Sequence, residues 1–216
     1  MISILAAVVV ELFTSQGCSS CPPADALVRE LRKDPNVIPI AYHVDYWNYL
    51  GWRDPFSSPD WTLRQMQYVR AFRLNSAYTP EIVVDGARQM VGSNEPEVRA
   101  AIQEAEKRGS VATVEMKVGG GVATIETEAP RGGLELVVVT TEDGIVTKIE
   151  RGENRGVTLT NDAIARSITR LNVGIGTSTH RVSVSTARGT VIAILQDPTT
   201  LKILAAAAVP TASSRP

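Results

Sequence analysis

Residues 7–25 read AVVVELFTSQGCSSCPPAD, and the fold turns on how they are parsed. Ala7 to Phe13 is rich in valine and predicts a buried strand. Gly17 to Pro23 predicts a turn that carries Cys18 and Cys21. Ala24 to Lys33 predicts a helix, because Ala24, Leu27, Val28 and Leu31 recur at i, i+3, i+4 and i+7. The two cysteines are the only ones in the chain, too few for a disulfide framework or a four-thiolate zinc site. Their C-x-x-C spacing at a strand-to-helix turn is the most informative feature of the sequence.

Working outward, Asp34-Pro35-Asn36 breaks the helix and Val37 to Val44 predicts a second strand. A long connection, Trp47 to Ser58, leads into a helix from Pro59 to about Arg73, with Ser58 at its N-cap. Glu81 to Asp85 and Arg88 to Val91 flank Asp85-Gly86, a hairpin signal. Asn94 is placed to cap a last helix with Val98, Ala101, Ile102 and Ala105 on one face, and Lys107-Arg108-Gly109 stops it. The order βαβ, α, ββα, with the cysteines after the first strand, resembles the core of the thioredoxin fold.

From Val111 the period changes to two. Short strands are expected over 111–118, 122–127, 134–141, 145–149, 181–185, 191–196 and 201–209, with a hairpin signal at Asp143-Gly144 and a short helix over 161–169. The expected class is α/β: a thioredoxin-like domain over 1–109 with an aromatic-rich insert at 47–58, then an antiparallel β-sandwich domain over 110–209, then a frayed tail over 210–216. The boundary is expected at Gly109-Ser110, and there is no internal repeat.

The chain has 216 residues, enough for one to two domains. Its 22 basic and 23 acidic residues give a net charge of −1, without the overall basic bias of a nucleic-acid binder. At 44% hydrophobic and 21% charged, it is too apolar for a disordered chain. No apolar run approaches the 18 residues of a transmembrane helix. Met1 to Val10 is apolar but lacks a basic flank, so it reads as a poor signal peptide or the remnant of one.

Three readings of the cysteines stand side by side. In the first, the pair cycles between dithiol and disulfide, with Cys18 exposed and attacking and Cys21 resolving. The partner is then a protein or small-molecule thiol or disulfide, and neither cofactor nor metal is needed. In the second, the pair is a static clip, which would stabilise little because its loop is so short. In the third, it binds a metal such as copper, although His43 and His180 are the only histidines available. Pro22 and Pro23 complicate the first reading. If Pro22 opens the helix, Cys21 is the N-cap and Cys18 lies outside the helix dipole.

Other residues are candidates for the same site. Thr79-Pro80, after Tyr78, leads into the third strand where thioredoxin-like proteins carry a cis-proline facing the cysteines, so Pro80, Thr79 and Tyr78 are expected to contact substrate. The alternative is a trans proline at an edge strand. Glu11 stands where thioredoxins keep a buried proton-relaying acid, one residue farther from the first cysteine than in that pattern. Alternatively it faces water at a strand edge.

All five tyrosines and three tryptophans lie between Tyr42 and Tyr78, joined there by Phe56 and Phe72. Trp47 and Trp52 in the long connection are therefore read as a lid or groove wall beside Cys18, or else as a plug between the domains. His43 and Asp45 share a strand face and could act as a base and its orienter. The Arg151–Gly156 stretch reads as turns without a phosphate-binding pattern.

The motifs ELFTSQGCSSCPPAD (11–25), YHVDYW (42–47), GWRDPF (51–56), YTP (78–80), RGEN (151–154) and Leu159-Thr160 are similar to those of a bacterial family of uncharacterised, often secreted, thioredoxin-like proteins. The resemblance implies the fold and a periplasmic or extracellular location; it brings no established activity. The expected function is thiol–disulfide exchange. A peptide-, ligand- or copper-binding module of the same fold is the alternative.

Overall fold

The computed structural model describes residues 7–185 and 189–211. The extreme N-terminus and the end of the expected tail therefore lie outside the described residues. Strand β1 (Val8–Thr14) is buried along its whole length, as its valine run predicts, because it has a strand on each side and cover on both faces. It pairs in parallel with β2 (Val37–His43), from Val8↔Val37 to Thr14↔His43. On its other side it pairs antiparallel with β3 (Glu81–Val84), which turns into β4 (Arg88–Val91). Between them run α1 (Pro22–Leu31) and α2 (Pro59–Ala71), and α3 (Glu95–Arg108) follows β4. Ser58 caps α2 by accepting the Asp60 N–H at 3.2 Å. Asn94 is the N-cap of α3 but makes no side-chain cap bond; its amide donates to Glu97 instead.

The second half supplies β5 (Thr113–Gly119), β6 (Val122–Ala129), β7 (Leu134–Glu142), β8 (Ile145–Lys148), β9 (Thr158–Asn161), β10 (Ile164–Val173), β11 (Gly176–Ser183), β12 (Thr190–Gln196) and β13 (Ile203–Pro210). Four of these extend the first sheet, giving one eight-stranded sheet ordered β13-β12-β7-β10-β2-β1-β3-β4. The seam is a short parallel register, Ile164↔Ala41, reinforced by the Ala41 N–H donating to the Ala163 carbonyl at 2.8 Å. Strands β11-β6-β5 form a second sheet that packs Val114, Ala123 and Ile125 onto Leu136, Val138, Ala193 and Leu195. The class is thus mixed α/β, mostly sheet, with a sandwich-like layer in the second half.

Residue alternation sends β1 side chains to two cores. Val8, Val10 and Leu12 meet Leu27 and Val28 of α1 and Val98 and Ile102 of α3. Val9 and Phe13 meet Tyr42, Trp61 and Tyr68 on the α2 side, together with Val137 and Ile192 from the second half. The hairpin turn at Asp85-Gly86 meets the second half at a separate place, the connection between β12 and β13, where the Ile203 N–H donates to the Asp85 carbonyl at 3.0 Å. Gly86 has φ +60°, and a Cβ there would lie 1.9 Å from the Leu201 carbonyl oxygen.

Two expectations are corrected. The helix expected over 161–169 is the end of β9 and the start of β10. In the pairing of β10 with β7 the register shifts between Ala165 and Ser167, which interrupts the regular alternation that marks a strand. Asp143-Gly144 does not close a hairpin between paired strands either. Strand β7 pairs with β10 and β12, while β8 pairs with β9 in a separate two-stranded ribbon. Asp143 accepts the Ala163 N–H and Asp162 accepts the Gly144 N–H, so the chain leaves the sheet and re-enters it at one pinned point.

Candidate functional site

Cys18 and Cys21 form a disulfide, with Cα atoms 5.4 Å apart, on the loop that joins β1 to α1. Cys21 is the N-cap of α1 and Pro22 its first residue. Cys21 adopts helical angles (φ −80°, ψ −34°) against the usual bias of a residue before proline. Its carbonyl accepts the Ala24 and Asp25 N–H groups, and its own N–H donates to the Cys18 carbonyl at 3.2 Å. Ser19 and Ser20 are exposed, but both cysteines are 0% exposed. The expectation of an open Cys18 is therefore corrected.

The cover comes from two places. From the aromatic connection, Trp47 packs beside Gly17, and Trp52 donates its indole N–H to the Gln16 side chain at 3.2 Å. From the tip of the β8–β9 ribbon, the Asn154 amide donates to the carbonyls of Gln16 and Cys18, both at 2.9 Å. Glu153 accepts the Ser19 N–H at 3.0 Å. Residues read as plain turns thus lie directly on the cysteine loop.

Beneath the loop sits a buried acid–base group. His43, at the end of β2, contacts Asp54 through Nδ1 at 2.7 Å. Asp54 also accepts the N–H groups of Gln16 and Phe56. Burial works against the His43 imidazolium, but Asp54 and then Asp25 outweigh it, so the His43 pKa is raised. Burial likewise opposes the Asp54 carboxylate, and His43 more than compensates, leaving its pKa lowered. The contact between them thus favours the charged form of each partner over its neutral form. His43 Nε2 is buried without a hydrogen-bond partner among the described residues.

Asp25 stands in the first turn of α1, four residues beyond Cys21 on one continuous helical path, which places the two Cβ atoms about 5–6 Å apart. Burial raises its pKa to about 6, with His43 pulling the other way. It opens on a small cleft of about 170 Å³ shared with Arg29 and Thr160.

Residues 9–195 match the family described as "Protein of unknown function (DUF1223)". The chain belongs to the DUF1223 family. No curated protein matches it. It is similar to the X-ray crystal structure of protein AGR_C_4864 from Agrobacterium tumefaciens, with 28% identity over 98% of this chain and 97% of that one, at a TM-score of 0.82. It also resembles HBP35 of Porphyromonas gingivalis, at 16% identity over 99% of this chain and 80% of that one, with a TM-score of 0.71; this second likeness concerns the fold alone.

In this DUF1223 member the remaining candidates divide by face. The Thr79–Pro80 peptide is cis, and Trp47 donates its indole N–H to Thr79 Oγ1 at 2.8 Å. Trp47 therefore bridges the cysteine loop and the Thr79-Pro80 corner. Tyr78 lends its carbonyl to Gln65, which also donates to the buried carboxylate of Glu81 at 2.8 Å. Burial raises the Glu81 pKa to about 7.

Glu11 is not brought to the cysteines. It lies on the α2 side of β1, opposite α1, in a fully buried ion pair with Arg64 at 2.5 Å and hydrogen-bonded by Tyr68. Asp45 is likewise not His43's partner. Strand β2 ends at His43, and Asp45 turns away to accept the Thr62 hydroxyl at 2.6 Å. Of the aromatic connection, only Tyr49 is strongly exposed, at 79%. His180 contacts Ser178 at 2.9 Å in the second sheet, where β11 carries both.

The sequence reading missed Asp25, Asp54, Glu153 and Asn154. Asp25 had a signal: it falls three residues before Val28, next to the apolar stripe of α1, where a carboxylate is out of place. Among the described residues, no cluster of three or more His, Cys, Asp or Glu side chains is placed to hold a metal. No helix among them is long and apolar enough to cross a membrane. A cavity of about 640 Å³ lies between β5 and β13 and shares no residue with this site.

Proposed function

We propose that the Cys18–Cys21 pair is redox-active and that the chain carries out thiol–disulfide exchange with a protein or small-molecule thiol, on a thioredoxin-like scaffold outside the cytoplasm. The observation that carries this reading is the disulfide at the start of α1 with a titratable acid, Asp25, one turn along the same helix. The scaffold reading is supported by the order β2-β1-β3-β4, parallel then antiparallel, with α1 and α3 on one face and α2 on the other. A standing disulfide fits an oxidising compartment.

In the reductive half-reaction, a partner thiolate attacks Cys18 Sγ and the Cys18–Cys21 bond breaks. Cys21 Sγ leaves as a thiolate and takes a proton from the Asp25 carboxyl. The partner's second thiol then loses its proton and attacks the mixed disulfide, releasing Cys18. The partner dithiol is oxidised by two electrons and the protein disulfide is reduced. An acid near pKa 6 suits this task, because it both gives and recovers a proton close to neutral pH.

Burial of both sulfurs favours a second reading, a binding module with an inert clip. Equilibration across glutathione redox buffers, with free thiols counted by maleimide labelling, separates the two. A redox-active pair interconverts within the physiological range, and Cys21→Ser traps partners on Cys18. A pair that stays oxidised at every potential ends the exchange reading.

A further inference from the structure

We infer that Asn154 and Glu153 are specificity-determining residues, in a strap that shuts small thiols away from Cys18 and yields to an extended polypeptide able to replace its hydrogen bonds. This rests on the exchange reading of the same disulfide. The strap is the 149–157 loop, and its route through the fold makes it a separate part. It leaves the large sheet after β7, crosses to the cysteine loop on the β8–β9 ribbon, and returns to begin β10.

The root of the ribbon is fixed. Arg32 pairs with Asp143 at 2.8 Å, Arg29 with Asp162 at 2.7 Å, and Gln16 donates to Asn161 at 2.9 Å. The loop also closes on itself, since the Gly156 N–H donates to the Ile149 carbonyl and the Ile149 N–H to the Val157 carbonyl. Gly152, at φ +75°, lets the backbone lie close to Trp52: a Cβ there would be 3.3 Å from the Trp52 Cβ. The strap is thus a preformed piece with a rigid root.

Its hold on the cysteine loop is narrow and polar. One carboxamide, Asn154, serves two main-chain carbonyls, Gln16 and Cys18, and one carboxylate, Glu153, serves one main-chain N–H, Ser19. Those three groups alternate acceptor, acceptor, donor along four residues. An extended polypeptide presents N–H and C=O groups of the same kinds, so it can take over the bonds while a cysteine in it reaches Cys18. A small thiol offers no such replacement and must wait for the strap to lift unaided.

The test measures how fast the disulfide is reduced by dithiothreitol and by a Cys-x-x-Cys peptide dithiol, in the wild type and in Asn154→Ala. Loss of two hydrogen bonds makes opening easier, so dithiothreitol should reduce Asn154→Ala about 30-fold faster than wild type. The wild-type preference for the peptide dithiol should shrink in the variant. If Asn154→Ala does not fold, Glu153→Ala, which changes an exposed side chain, is expected to accelerate dithiothreitol about fivefold. Equal dithiothreitol rates in the wild type and the folded variants overturn the strap and leave the exchange reading standing. A disulfide that resists both reductants in every variant overturns the two together.

Discussion

Asp25→Asn should raise stability at neutral pH while slowing exchange, and the pH profile of its effect identifies the cause. Asp25 is 8% exposed, and burial lifts its pKa from 3.8 to about 6 in the folded chain. The folded state therefore holds this proton more tightly than the unfolded state does. The stabilisation is complete below pH 3.8 and is lost as pH rises through 6. By pH 7 the ionised Asp25 costs the folded state roughly 3 kcal/mol relative to low pH. Asparagine removes that titration.

His43 and Arg29 attract the Asp25 carboxylate and Asp54 repels it; all three remain in the variant, so their own titrations largely cancel in the difference. Urea unfolding of both proteins, disulfide intact, at pH 4 through 8 should show Asp25→Asn gaining on wild type by about 2–3 kcal/mol between pH 4 and pH 7, then levelling. The same variant should reduce more slowly at and below about pH 6, where wild-type Asp25 still holds the proton that Cys21 takes on leaving, and the difference should fade as pH rises above 6. A stability difference that stays within about 0.5 kcal/mol across the range would falsify the assignment of Asp25 as a buried acid with a raised pKa.

Two further outcomes test the frame around the site. Arg64→Met strands the Glu11 carboxylate in the α2-side core, at a cost of about 3–5 kcal/mol, and adding Glu11→Leu should restore most of it; urea midpoints of the single and double variants decide this. Gly86→Ala forces a Cβ against the Leu201 carbonyl at a left-handed φ and should cost more than about 2 kcal/mol. Amide exchange is then expected to loosen first at the Asp85–Ile203 contact that ties the two halves together.

The first half was legible because its signals are local. Valine density marks β1, the apolar stripe Ala24–Leu31 marks α1, Ser58-Pro59 starts α2, and a C-x-x-C between strand and helix narrows the topology. The second half hid its layout in long-range pairing. No local pattern indicates that Ile164 will lie beside Ala41, or that Asp143-Gly144 sends the chain out of the sheet rather than around a hairpin. The site was half legible for the same reason. The cysteines and the Thr79-Pro80 corner can be read from spacing. Asp54 as the partner of His43 and Asn154 as the cover of Cys18 depend on residues 11 and 136 positions away.

The energetics beneath the loop fit the proposed exchange better than an inert clip. A disulfide spanning four residues removes little entropy from the unfolded chain, so its structural return is small. Yet the chain buries beneath it an acid that destabilises the fold at neutral pH, an imidazole whose Nε2 lacks a partner among the described residues, and the Asp54 carboxylate that contacts that imidazole and accepts the Gln16 N–H. Packing alone is better served by apolar side chains at all three positions. Groups that are costly when static and useful when a proton must move are what a sulfur pair requires when one member leaves as a thiolate. Of the folded state's two options here, a well-filled core or a titrating one, the residues under Cys21 form the second.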